Sequence, residues 1–86
     1  MRDFAVEEAL QGKLSKIQKR DKALYSLILK KFQQILETEG LDHFKNLKSP
    51  QQRFKRVHIG PFVLIFQASK EKIKFFDIDH HDNIYK

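Results

Sequence analysis

The stretch Phe54-Lys55-Arg56-Val57-His58-Ile59-Gly60-Pro61-Phe62-Val63-Leu64-Ile65-Phe66-Gln67 decides the character of the second half of the chain. It holds two runs of β-branched and aromatic residues, 54–59 and 62–67, separated by Gly60-Pro61. Runs of this kind bounded by turn residues predict strands, and a two-residue connection predicts an antiparallel hairpin. A third run, 73–78, comes after Ala68-Ser69-Lys70-Glu71 and predicts a further antiparallel strand. In the first strand, alternation sends Val57 and Ile59 to one face and Arg56 and His58 to the other. The aliphatic pair takes the core side. Arg56 and His58 then lie about 6–7 Å apart on the exposed face, a spacing that suits a phosphate and its neighbour. The competing reading is an ordinary solvated face that carries a histidine.

Upstream the period changes. Phe4, Leu10, Leu14 and Ile17 recur at helical spacings, as do Leu24, Ile28, Phe32 and Ile35, which predicts two amphipathic helices. Between them Asp21 is placed to cap the second helix by accepting its free backbone donors. Gly40 is expected to close that helix in a left-handed conformation. The short connection folds the pair into an antiparallel helical hairpin, and residues 41–47 are expected to form an irregular strand or loop packed by Phe44 and Leu47. The fold class is α+β: an N-terminal helical hairpin laid on a small C-terminal antiparallel β-sheet. No repeat or linker interrupts the chain, so residues 1–86 read as one domain.

With 86 residues, folding buries about 60–65% of the surface that the unfolded chain exposes, which excludes a large multidomain enzyme. The sequence has no cysteine, so neither a disulfide framework nor a thiolate metal site is available. Eight phenylalanines and a hydrophobic fraction of 41% suffice for a core. No apolar run approaches the roughly 20 residues of a membrane-spanning helix, and Asp3, Glu7 and Glu8 interrupt any signal-peptide core. A cytoplasmic protein with no membrane partner is expected. The formal charge is +6, and a basic surface gains affinity for polyanions by releasing condensed counterions. The excess is localised, because residues 41–60 hold five basic side chains and one acidic one.

Asp77-Ile78-Asp79-His80-His81-Asp82-Asn83-Ile84-Tyr85 contains two of the four histidines together with three acids. Three chemistries fit. A metal site has suitable oxygen and nitrogen donors, but adjacent histidines on a strand point to opposite faces. A catalytic site would use imidazoles that move protons near neutrality and a phenol that donates a hydrogen bond or stacks on a base. A structural end would pair the acids with basic neighbours while Ile78 and Ile84 fill the core. Lys13, Lys16, Lys19, Arg20, Lys22, Lys30 and Lys31 mostly read as solvated faces of the two helices.

The order of these segments resembles the RelE/ParE toxins of type II toxin–antitoxin systems, particularly their archaeal branch. The resemblance spans nearly the whole chain and is carried by Arg56-Val57-His58-Ile59-Gly60 and by Asp79-His80-His81-Asp82-Asn83-Ile84-Tyr85. Leu14-Ser15-Lys16-Ile17 with Lys19-Arg20-Asp21-Lys22 and Tyr25 agrees with the helix pair of that branch. It implies a ribosome-dependent messenger RNA endonuclease that inhibits translation, works without cofactor or metal, and is neutralised by a cognate antitoxin. Carried over by position, Arg56, His58, His81 and Tyr85 are the implied catalytic residues, and His80 stands where many relatives also have histidine. Lys48, Arg53 and Lys55 of the basic segment are expected, with His80, to contact RNA. Val63 stands where the active pattern has arginine. Relatives usually open with a strand, for which residues 1–6 are very short, so Phe4 is assigned to the first helix. The rival implication is a catalytically weak homologue that only binds antitoxin, RNA or DNA gyrase.

Overall fold

The computed structural model describes residues 3–40, 45–46, 54–69 and 71–84. Its elements are β1 (Asp3–Val6), α1 (Glu8–Arg20), α2 (Lys22–Glu37), β2 (Lys45–Asn46), β3 (Lys55–Ile59), β4 (Phe62–Ala68), β5 (Lys72–His80) and α3 (His81–Ile84). The strands form one sheet in the order β1-β5-β4-β3-β2, with the two long helices packed on one face.

Asp21 is the only residue between the helices, and it serves both. Its backbone N–H donates to the Ile17 carbonyl at 2.8 Å, and its carboxylate accepts from the Leu24 N–H at 3.0 Å, as its side-chain chemistry predicts. The other end of α2 differs from expectation. The helix stops at Thr38, which is extended and whose hydroxyl donates to the Gln34 carbonyl. Among the described residues Gly60 alone has a positive φ, so Gly40 is not a left-handed cap.

Gly60 adopts φ +59° at the β3–β4 turn, where Ile59 pairs with Phe62 across two residues. Proline fixes the second turn position at negative φ, so a positive first position matches a type II′ turn, whose twist suits a hairpin. A Cβ at Gly60 would meet no atom within 4 Å, which leaves backbone conformation as the sole penalty. Gly60→Ala is therefore expected to cost about 1–2 kcal/mol, read as a lower urea midpoint with an unchanged slope.

Phe4 lies in a strand rather than in the first helix. Residues 3–6 pair in parallel with 72–75, fixed by Asp3 N–H to Glu71 O at 3.1 Å and Glu7 N–H to Phe75 O at 2.9 Å. The sheet is consequently mixed, with the predicted antiparallel ladder β3-β4-β5 intact inside it. Of residues 41–47, Lys45–Asn46 pair with β3 and the others lie outside the described residues.

The core joins Leu10 of α1, Ile28, Phe32, Ile35 and Leu36 of α2, and Ile59, Leu64, Phe66, Ile73, Phe75 and Ile78 of the sheet. Phe75 sits at its centre. Its ring stacks on Phe32 at 3.9 Å and 6°, and Phe66 and Phe4 approach at 6.3 and 6.2 Å.

A bulge in β5 controls which side chains reach the other face. Ile65 pairs with Asp77 but Phe66 with Phe75, which leaves Phe76 as the extra residue. Uninterrupted alternation would align Ile73, Phe75, Asp77 and Asp79 on the core side. The extra residue resets the phase, so Ile78 enters the core and the two aspartates turn away from it.

Candidate functional site

The sheet face away from the long helices carries Arg56 and His58 from β3, Val63 and Ile65 from β4, and Asp77 and Asp79 from β5, as the ladder registers dictate. Arg56 is half-buried and His58 exposed. At the end of this face the chain leaves β5 as α3. The His81 N–H donates to the Pro61 carbonyl at 2.9 Å, which fastens the start of α3 to the β3–β4 turn. The imidazoles of His58 and His81 consequently stack, with centroids 5.6 Å apart and planes 24° from parallel. His58 and His81, 23 positions apart in sequence, thus meet at the turn end of this face, and Arg56 lies two residues before His58 on the same face.

The remaining candidates separate. His80 follows the alternation to the opposite side, where it meets Phe62 edge-on at 5.9 Å and its Nδ1 accepts from the Asp82 N–H at 3.2 Å. Lys55 is in register with Phe66, a core residue, and so lies on the helix-packed side rather than beside Arg56. Tyr85, Arg53 and Lys48 lie outside the described residues.

Val63 is fully buried and stands in register between His58 and Asp79. It is absent from the core cluster under the helices, and sets an apolar side chain on this face between the other two.

Lys13 is a neighbour that sequence reasoning left on a solvated helix face. Its Nζ lies 2.6 Å from Asp77 Oδ1 and 3.8 Å from Asp79 Oδ2, and donates to the Ile78 carbonyl at 3.2 Å. The expectation that the C-terminal acids pair with basic neighbours is met by this residue, 64 positions upstream. Asp79 Oδ1 also accepts from Asn83 Nδ2 at 3.0 Å and from the His80 N–H at 2.8 Å. The Asn83 bond and the His80 N–H, with a lesser contribution from the Lys13 charge, hold the Asp79 carboxyl below the ordinary aspartate range against the opposing effect of burial.

A depressed carboxylate adds stability above its unfolded value of about 3.9, and that stability is lost as pH falls through the folded value. Acidification below about pH 4 should therefore loosen α3. The Asn83 side-chain amide resonances are expected to shift toward solvent-exposed positions, and Asp79→Asn to remove the part of that titration due to Asp79. Among the described residues, no three of His, Cys, Asp and Glu converge in a metal-binding arrangement.

The sequence matches no protein-family model. It is 44% identical over 89 residues to a protein of Methanocaldococcus jannaschii named "Putative toxin RelE4", in an alignment that covers all of this chain and 93% of the relative. Among solved structures, YafQ from E. coli superposes with a TM-score of 0.73 at 19% identity over the whole of both chains. The E. coli DinJ-YafQ complex gives 0.68 at the same identity, again over both chains in full. These structures share the fold described above.

Proposed function

The chain belongs to the RelE family of type II toxin–antitoxin toxins, and on that premise we propose that it inhibits translation in the cytoplasm by cutting messenger RNA on the ribosome. The observation that carries this reading is the His58–His81 pair stacked beside Arg56 on an open sheet face. RNA cleavage without water requires the 2′-oxygen to attack the adjacent phosphorus while the 5′-oxygen leaves. The products are a 2′,3′-cyclic phosphate and a 5′-hydroxyl. One imidazole takes the proton from the 2′-hydroxyl and the other returns one to the departing oxygen. Two rings 5.6 Å apart suit attacking and leaving atoms on opposite sides of one phosphorus. Arg56 supplies the guanidinium for the non-bridging oxygens, and Tyr85 stacks on a base.

A protein antitoxin is the proposed stable partner. This is supported by family membership and by the complex that YafQ forms with DinJ. Phe4 and Leu29, both exposed, also line an apolar groove of about 320 Å³ with Val6, Leu14, Phe32 and Leu36, a surface of the kind that partner proteins cover. Among the described residues no helix is long and apolar enough to cross a membrane.

The buried Val63 favours a second reading, in which the chain binds its targets but cuts slowly, since the charge expected opposite the phosphorane is missing. Replacing the scissile ribonucleotide by its 2′-deoxy analogue tests the chemistry. Cleavage should be abolished at that position, and the products of the unmodified message should end in a cyclic phosphate and a 5′-hydroxyl. A deoxy message cut at the ribo rate would rule out 2′-hydroxyl attack.

A further inference from the structure

We propose that Asp79 and Asn83, backed by Lys13, are positioning residues that hold His81 against His58. The proposal rests on reading those two histidines as the acid–base pair. Helix α3 has four residues, too few to be stable alone. Its side chains are exposed except for the half-buried Ile84, so apolar burial does little to orient it. Polar bonds to the rest of the fold take over that task. Pro61 O receives the His81 N–H at 2.9 Å, and Asp79 Oδ1 receives Asn83 Nδ2 at 3.0 Å, two residues beyond His81. The first bond fixes where α3 starts, and the second fixes its rotation about that point. Rotation is what sets the face of the His81 ring against His58.

Asp79 is itself held in place. Its Oδ1 also accepts the His80 N–H at 2.8 Å, and Lys13 stands 3.8 Å from Oδ2 while bonding Asp77 at 2.6 Å. Register puts Asp79 beside Val63, and Val63 beside His58. The anchor of α3 and its target ring are therefore separated by one strand of the sheet, and the extra residue at Phe76 is what turns Asp79 to this side. Neither Asp79 nor Asn83 is assigned a contact with the reacting atoms. Their effect on the reaction passes through His81.

The test combines nuclear magnetic resonance with kinetics on Asn83→Ala, Asp79→Ala and Asp79→Asn. Contact between the His58 and His81 rings should give inter-ring Overhauser effects in the wild type that disappear in both alanine variants. Melting curves confirm that the core remains folded. In message cleavage on programmed ribosomes, kcat should fall about tenfold to hundredfold in the alanine variants, with KM within twofold. Asp79→Asn keeps an acceptor for Asn83 but loses the charge, and should weaken the ring contact and lower kcat less than Asp79→Ala does. Rings that stay in contact with kcat unchanged in the alanine variants would overturn the proposal, as would a raised KM at constant kcat. Wild-type protein that cuts no message overturns the nuclease reading instead, and the Overhauser effects in the variants still decide whether Asp79 and Asn83 place His81.

Discussion

His58→Ala is expected to slow message cleavage by about 10²–10⁴-fold, the range over which a positioned proton-transfer group contributes. The substitution is on an exposed β3 position, where truncation changes stability by less than about 0.5 kcal/mol. Lost activity can thus be separated from lost fold by one melting curve. His81→Ala should behave similarly, because its ring completes the same stack. If the two imidazoles act on one phosphorus, their effects are not additive: the double variant should be about as slow as the slower single one. Two independent RNA contacts would instead multiply. Rates of the two single variants and the double variant, measured on programmed ribosomes at saturating protein, distinguish these outcomes.

The largest stability effect is expected at Phe75. Its ring is fully buried and contacts Phe32, Phe66 and Phe4, so it ties α2 to three strands of the sheet. Phe75→Ala removes that transfer free energy and leaves a cavity that rigid strands on both sides cannot fill, at a cost of about 3–5 kcal/mol. A domain of this size has roughly 5–10 kcal/mol in total. The variant should therefore unfold at a far lower urea concentration and populate unfolded chains measurably at 37 °C. Circular dichroism in a urea titration reads this directly. A loss below about 1 kcal/mol would mean that the three aromatic contacts are not the centre of the core.

These two residues also mark how far the sequence could be read. The outward face of His58 is legible because alternation in a strand with Val57 and Ile59 leaves no other side for it, and the Gly60-Pro61 turn fixes the register of the hairpin. The helices were legible through their 3.6-residue period, and Asp21 through its capping chemistry. Phe4 was not. Its spacing to Leu10 and Leu14 mimics a helix, and what makes it a strand is the open edge of β5, some 70 residues away. The phase of β5 was equally hidden. Nothing local distinguishes Phe76 as a bulge, yet that one residue decides whether Asp77 and Asp79 face the core or the site. Once they face the site, Lys13 becomes their partner across 64 positions, a pairing invisible to any window along the chain. Val63 was visible as a departure from the RelE pattern, but its burial between His58 and Asp79 came only from the register.

The most direct test is a cleavage assay on ribosomes carrying a defined message with an empty A site, with the 5′ ends of the products mapped. Wild-type protein should cut the message within the A-site codon, and His58→Ala and His81→Ala should cut it at least about a hundredfold more slowly while still binding the ribosome. Wild-type protein that binds these ribosomes and leaves the message whole, or alanine variants that cut at the wild-type rate, would contradict a nuclease built on the His58–His81 pair.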